Sequence, residues 1–112
     1  MVTATRARQT RQDVVFRALA DPTRREILRL LRDGRQSVGG LAANFHQSRP
    51  AISKHLRLLR SAGLIVTHEQ GTSRLCELNA APLRAVDTWL QDYESLWGDS
   101  LRQLKRHVEG RS

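Results

Sequence analysis

Residues 49–62, Arg-Pro-Ala-Ile-Ser-Lys-His-Leu-Arg-Leu-Leu-Arg-Ser-Ala, read as a helix with two unlike faces. Wound at about 3.6 residues per turn, Ile52, Leu56 and Leu59 share one arc with Ala51, His55 and Leu58 at its edge. The opposite arc collects Arg49, Ser53, Lys54, Arg57 and Arg60 and holds no acid. Any fold of this chain therefore has to bury the first arc and leave the second open. The acid-free stretch is wider than the helix, because from Gly34 to Gly63 the only charged residues are Arg35, Arg49, Lys54, Arg57 and Arg60. Most of the formal net charge of +8, from 19 Lys+Arg against 11 Asp+Glu, sits here and in the first dozen residues. Such a footprint attracts a polyanion, whose phosphates release counterions when Lys and Arg neutralise them. Charge alone leaves DNA, RNA and an anionic membrane surface open.

The segments before this helix carry clear punctuation. A helical pattern starts at Asp13, with Val14, Val15, Ala18 and Leu19 on one side, and halts at Asp21-Pro22. Asp21 is suited to accept from the free N–H groups of a new helix, and Pro22 fits its first turn because a missing donor costs nothing there. That second helix runs to about Asp33 with Ile27, Leu28, Leu30 and Leu31 as its core face, and Gly34 ends it. Ser37 caps a short third helix bearing Val38, Leu41, Ala42 and Phe45, then a polar break leads to a fresh cap at Ser48. Two short helices around a tight break predict a helix-turn-helix. After Gly63, Leu64–Glu69 and Arg74–Asn79 read as strands around the tip Gln70-Gly71-Thr72-Ser73, a hairpin that forms a wing. On the second strand, alternation puts Cys76 and Leu78 on one face and Leu75 and Glu77 on the other.

From Pro82 onward apolar residues recur at Leu83, Val86, Leu90, Tyr93, Trp97, Leu101, Leu104 and Val108, three or four apart. As one helix of roughly 27 residues it would be about 40 Å long, more than so small a domain can cover, with Gly98 as a possible bend. A second copy of the chain is the expected cover. Trp89 and Trp97 add area suited to an apolar dimer interface.

A 112-residue chain builds one modest core, which excludes a multi-domain enzyme. No apolar run approaches the roughly 20 residues of a membrane span, and residues 1–12 lack the apolar stretch of a secretion signal, so a cytoplasmic protein is expected. A lone cysteine, Cys76, forms neither an internal disulfide nor a cysteine cluster and reads as a small core hydrophobe. His55 borders the apolar arc and reads as structural, while His46, His68 and His107 are scattered. No nucleophile–base pair, Gly-rich phosphate loop or paired carboxylates support catalysis. Residues 1–11 read as a flexible basic arm, either a solubilising tail or a groove-reaching extension, and residues 12–112 as the domain.

Three runs together, Phe16-Arg17-Ala18-Leu19-Ala20-Asp21-Pro22-Thr23-Arg24-Arg25, Ser48-Arg49-Pro50-Ala51-Ile52-Ser53-Lys54-His55-Leu56 and Ser61-Ala62-Gly63-Leu64-Ile65, resemble the ArsR/SmtB family of bacterial winged-helix repressors. The resemblance covers roughly residues 12–108. It implies a mainly α fold with a small β-hairpin, dimerising through its first and last helices and binding an inverted-repeat operator in double-stranded DNA. The recognition helix enters the major groove and the wing meets the flank. Carried onto this sequence, DNA contacts come from Ser48, Arg49, Ser53, Lys54 and Arg57, with Thr72, Ser73 and Arg74 at the wing. Dimer contacts come from Val14, Val15, Leu83, Val86, Leu90, Tyr93, Trp97, Leu101 and Leu104. Many members sense metals through cysteines near the recognition helix or through Asp and His ligands on the last helices. Residues 38–48 hold no Cys, and His107 has no Asp or His partner at the usual separation, so no metal or cofactor is expected and the effector is left open. The long last helix with its Trp and Tyr looks like a non-metal branch whose members often repress their own operon.

Two other readings of the residues stand beside this one. An interaction module would use the wing and long helix to bind a protein, with the basic arc merely solvated. A metal- or redox-responsive repressor of the same fold is the other, its redox form acting through Cys76. RNA binding is disfavoured, since no sheet exposes aromatic residues.

Overall fold

The computed structural model describes the backbone of residues 2–109, and the side chains of that span apart from residues 2–9, 98–102, 105 and 109. Helix α1 spans Val2–Leu19, α2 Pro22–Leu30, α3 Val38–Ala42 and α4 Arg49–Ser61. Strand β1 is Gln36–Ser37, β2 Ile65–Gln70 and β3 Ser73–Leu78, and the chain closes with α5, Arg84–Gln91, and α6, Glu94–Glu109. The helix predicted from Asp13 is thus helical from Val2, through the stretch read as an arm. The side chains of Arg6 and Arg8 lie outside the described residues.

The caps act as their residue types require. The Asp21 carboxylate accepts from the Arg24 N–H at 3.0 Å, the Ser37 hydroxyl from the Gly40 N–H at 2.9 Å, and the Ser48 hydroxyl from the Ala51 N–H at 3.3 Å. Each satisfies a donor that the first helical turn leaves free. Helix α2 gives way to a 3₁₀ turn over Leu31–Asp33, and Gly34, at φ 142°, ends it.

The sheet has three antiparallel strands in the order β1-β3-β2, where a two-stranded hairpin was predicted. Gln36 pairs with Cys76 and Ser37 with Leu75. A two-residue strand is too short to show alternation, so it has no signature of its own in the sequence. The hairpin tip is tighter than expected, since Gln70 already pairs with Ser73 and only Gly71 and Thr72 form the loop. Gly71 at φ 62° with no positive φ at Thr72 corresponds to a turn with glycine first, the type whose twist suits a hairpin.

The core lies where α2, α3, α4 and the sheet meet. Ile27, Leu41, Ile52, Leu59, Leu64 and Cys76 are fully buried there, joined by Leu56 and Ile65. The apolar arc read from residues 49–62 is thus the side on which α4 is anchored. Its end is held as firmly as its start. Gly63, at φ 76°, lets its own N–H donate to the Arg60 carbonyl at 2.9 Å and the Leu64 N–H to the Leu59 carbonyl at 3.0 Å, the paired bonds of a Schellman cap. Asn79 secures the same turn, its backbone N–H bonding Leu64 O at 2.8 Å and its side-chain amide Gly63 O at 2.9 Å.

The C-terminal segment departs from the single long helix predicted. It breaks at Asp92-Tyr93 and not at Gly98, which lies inside α6. Here the N–H groups of Asp92, Tyr93 and Leu96 reach back three residues, to Trp89, Leu90 and Tyr93, at 3.3, 2.9 and 3.0 Å. Three-residue bonds overwind the chain and end the α-helical phase, while a helical glycine costs only about 1 kcal/mol and need not bend anything. The rings hold the junction: Phe16 of α1 meets Trp89 edge-on at 5.4 Å, and Trp89 meets Tyr93 at 5.0 Å.

Gly63 supplies the sharpest stability test. A Cβ there would be strained by the positive φ and would lie 3.4 Å from Pro82 Cγ. Gly63→Ala is expected to lower unfolding free energy by about 1–2 kcal/mol, the cost of a left-handed L-residue, as measured by urea denaturation.

Candidate nucleic-acid interface

The face of α4 turned away from the core is the basic arc. Arg49, Lys54, Arg57 and Arg60 are exposed and Ser53 is half-buried. Ser48 spends its oxygen on the cap but stays exposed, so its O–H remains available as a donor. At the wing, Thr72 is in the loop and exposed, Ser73 closes the hairpin opposite Gln70, and Arg74 lies 4.0 Å from Glu69 across the strand pair. An exposed pair at that distance holds its partner weakly.

Helix and wing meet at a cleft of about 100 Å³ lined by Ser53, Arg57, Arg60, Thr67 and Arg74, with Cys76 at its floor. Three arginines and two hydroxyl-bearing residues thus line one cleft from three elements, α4, β2 and β3. Arg60 and Thr67 are the residues that reasoning from sequence left out. Arg60 carried a signal, its place on the acid-free arc, whereas Thr67 had none because its partner surface exists only once the wing folds back. Cys76 is fully buried, and burial pushes its thiol pKa up while Arg60 and Arg74 pull it back only in part. A buried thiol held protonated is a poor nucleophile, in keeping with a packing role.

What aims α4 is a polar knot on its other side. Arg24 donates from Nε to the Ala18 carbonyl and from a terminal nitrogen to the Arg17 carbonyl, both at 2.7 Å. Arg25 does the same to Leu19 at 2.7 Å. These carbonyls belong to the last turn of α1, where the i+4 helical donor is missing and only that of Arg17 accepts a three-residue bond, from the Ala20 N–H at 3.3 Å. The second terminal nitrogen of Arg24 lies 3.3 Å from His55 Nδ1. Asp21 stands 3.8 Å from the same ring nitrogen. His55 is therefore a structural residue that ties α4 to the junction of α1 and α2. Gln47 adds a tether from the turn, donating to the Thr23 hydroxyl at 2.6 Å. On Asp21, partial burial raises the carboxyl pKa, but the Arg24 N–H, His55 and the Arg24 charge together outweigh it and the net shift is downward.

A second cluster lies on the outer face of the sheet. His68 Nε2 is 2.6 Å from Glu77, which also accepts from Arg35 Nε at 3.1 Å. The Glu77 pKa is lowered, chiefly by the hydrogen bond from His68; burial opposes the shift, and Arg35 and the His68 charge add to the lowering. His68, read as scattered, is thus the rivet between β2, β3 and the chain entering β1. Among the described residues, no three His, Cys, Asp or Glu side chains gather as a metal site.

The residues assigned to dimer contacts divide. Val14, Leu83, Val86 and Leu90 are half-buried and Tyr93, Trp97 and Leu104 exposed, while the Leu101 side chain lies outside the described residues. Val15 is only 4% exposed within one chain, so it is filled by its own core. Leu96, at 79% exposure, stands out beside Leu104 at 59% and Val108 at 60%. Leu96 escaped the sequence reading because it lies about 100° off the stripe of Trp97, Leu101, Leu104 and Val108 on the same helix.

A winged helix-turn-helix with a basic outer helix face defines a class, and comparison with known proteins gives it a family. The pattern described as "Bacterial regulatory protein, arsR family" matches residues 21–67. The transcriptional repressor SdpR of Bacillus subtilis is 39% identical over 70% of this chain and 88% of its own. The transcriptional activator HlyU of Vibrio cholerae is 33% identical over 65% of this chain and 68% of its own. A crystal structure of an ArsR family transcriptional regulator, RHA00566, superimposes with a TM-score of 0.74 at 39% identity, covering 80% of this chain and 93% of that one. The chain belongs to the arsR family of bacterial regulatory proteins.

Asp21→Ala tests the knot. Loss of the cap is expected to cost about 0.5–2 kcal/mol at pH 7. Because the folded pKa is depressed, the carboxylate stabilises the fold above its ordinary value of 3.8 and ceases to as pH falls through the folded value. The gap between wild type and variant in thermal melts should therefore be full at neutral pH and shrink below about pH 4.

Proposed function

We propose that the chain is a DNA-binding transcriptional repressor that acts in the cytoplasm as a homodimer on a palindromic operator. The observation that carries this reading is the acid-free outer face of α4, joined across the cleft by Arg74 of the wing. Recognition helices of this kind lie in the major groove, and the wing then falls beside the flanking backbone. Arg49, Lys54 and Arg57 supply charge, Ser48 and Ser53 hydroxyls at the base edges or phosphates, and Thr72, Ser73 and Arg74 contacts at the flank. Repression is supported by the likeness to SdpR, named a transcriptional repressor. No catalytic role is proposed, and among the described residues no helix is long and apolar enough to cross a membrane.

The homodimer is supported by the apolar side chains that one chain leaves uncovered at the break before α6 and on α6 itself, Tyr93, Leu96, Trp97, Leu104 and Val108. Large exposed apolar residues on one segment mark an interaction surface. Val14, Leu83, Val86 and Leu90 extend that surface, whereas Val15 does not. A two-fold pair of α4 helices would read half-sites about one DNA turn, roughly 34 Å, apart.

Selection of bound fragments from random duplex DNA by the purified protein is expected to yield an inverted repeat, and the absence of any enriched motif would sink the reading. On the selected duplex, Arg57→Ala and Arg60→Ala should each weaken binding. A phosphate contact gives a similar loss on random DNA and a salt slope shallower by about one unit, while a base contact relaxes specificity instead. In sedimentation, wild type should run as a dimer, and Trp97→Ala combined with Leu104→Ala should shift it toward monomer.

A further inference from the structure

The cleft of about 100 Å³ between α4 and the wing holds more than the residues assigned to DNA from the sequence. Beside Ser53, Arg57 and Arg74 it is lined by Arg60 and Thr67, while Leu56 and Cys76, both buried, give it an apolar floor. None of these residues lies on the apolar surface assigned to the dimer. Among the described residues, the side chains of Arg57 and Arg60 make no hydrogen bond or ion pair, and the hydroxyls of Ser53 and Thr67 make no hydrogen bond. Arg74 has only its 4.0 Å approach to Glu69. The side-chain donors of the cleft are thus free, and no carboxylate lines it.

Free guanidinium and hydroxyl donors without an acceptor call for an anion rich in acceptor oxygens. A phosphate group is such an anion and accepts from both donor types. At about 100 Å³ the cleft is well under the roughly 300–1,000 Å³ that holds a whole small molecule. It therefore has room for one such group, with the rest of its bearer outside. A DNA backbone has that form, and α4 in the major groove would hold its phosphates at high local concentration beside the cleft. We propose that the cleft seats a single backbone phosphate of the bound duplex, with Arg60 and Thr67 as binding residues alongside Ser53, Arg57 and Arg74. The proposal rests on the DNA-binding reading above, and it commits Arg57 to the backbone in place of a base.

One phosphate held in this way clamps α4 to the wing. Ser53, Arg57 and Arg60 come from α4, Thr67 from β2 and Arg74 from β3. The two halves of the DNA-binding surface then share a ligand, and loss of a donor on one side loosens the grip of the other. Residues that share a partner act non-additively, whereas separate contacts add. Arg60→Gln and Arg74→Gln combined should accordingly lose a different factor in affinity from the product of the two single losses.

The test uses the full chain and its selected duplex, with a neutral methylphosphonate placed at one backbone position at a time. In wild type, neutralising one position in each half-site is expected to cost about tenfold in affinity. In Arg60→Gln that position should cost less than about twofold, while the other positions keep their effect. Arg60 is exposed and unpaired, so this substitution leaves the fold in place. It should also weaken selected and random duplexes by a similar factor, with a salt slope shallower by about one unit. Thr67→Val keeps the β-branched shape and removes only the hydroxyl, and should weaken binding at least about threefold without changing the slope. A phosphate position equally costly in Arg60→Gln, a base preference relaxed by Arg60→Gln, or an affinity unchanged in Thr67→Val overturns the seat. Isothermal titration of the DNA-free chain with inorganic phosphate separates the two sources of the group. No saturable binding at micromolar concentration is expected, and tight binding lost in Arg60→Gln would make a free oxyanion the occupant and overturn the assignment to DNA. If the chain binds random duplex but selects no motif, the repressor reading fails and the salt slope of Arg60→Gln still decides the seat; if it binds no duplex, both fail.

Discussion

The guanidinium of Arg24 is the point on which the rest of the arrangement depends. It bonds the carbonyls of Arg17 and Ala18 at the end of α1 and meets His55 in the middle of α4, while its backbone N–H is held by Asp21. Three helices are thereby referenced to one side chain. Packing alone would allow α4 to slide or rotate on a core of aliphatic side chains, which are similar in shape and indifferent to direction. Hydrogen bonds with defined donors and acceptors do not tolerate that, so the outer face of α4 is aimed as well as exposed.

On the far side of α4 the wing completes the site by a different logic. The rivet of His68, Glu77 and Arg35 holds the strands from outside, while Cys76 packs them from inside. Between the wing and α4, Arg57, Arg60 and Arg74 come together without an acid in the cleft. Repulsion among like charges lining one cleft persists, though only weakly where they are exposed, hydrated and screened. A polyanion docked there would relieve it. Electrostatics here favour the bound state more than they stabilise the free one.

The C-terminal segment shows how local geometry redirects a correct pattern. Its apolar residues do recur at helical spacing, and most of them do lie on α5 and α6. Yet the three-residue bonds around Asp92-Tyr93 divide the segment into two helices, with Leu90 half-buried before the break and Leu96, Trp97, Leu104 and Val108 exposed after it. The contacts of Phe16, Trp89 and Tyr93 reach from α1 across this break. Phe16 of α1 meets Trp89 just before this break, so the helix that begins the chain braces the start of its last segment.

Much of this was legible in the residues. Caps at Asp21, Ser37 and Ser48, stops at Gly34 and Gly63, and the two faces of residues 49–62 are local signals, each set by side chains within a few positions of one another. Such features follow from short-range chemistry, and sequence by itself determined them together with the helix-turn-helix, the hairpin and the basic arc. Tertiary structure alone decided the rest: the two-residue strand β1, the partners of His55 and His68, the burial of Val15, the place of Arg60 and Thr67 in a cleft, and the break before α6. Each of these pairs groups that are distant along the chain, or turns on which of two equivalent hydrogen-bond patterns the neighbouring helix favours. No window of sequence contains that information, because the partner surface exists only once the chain has folded.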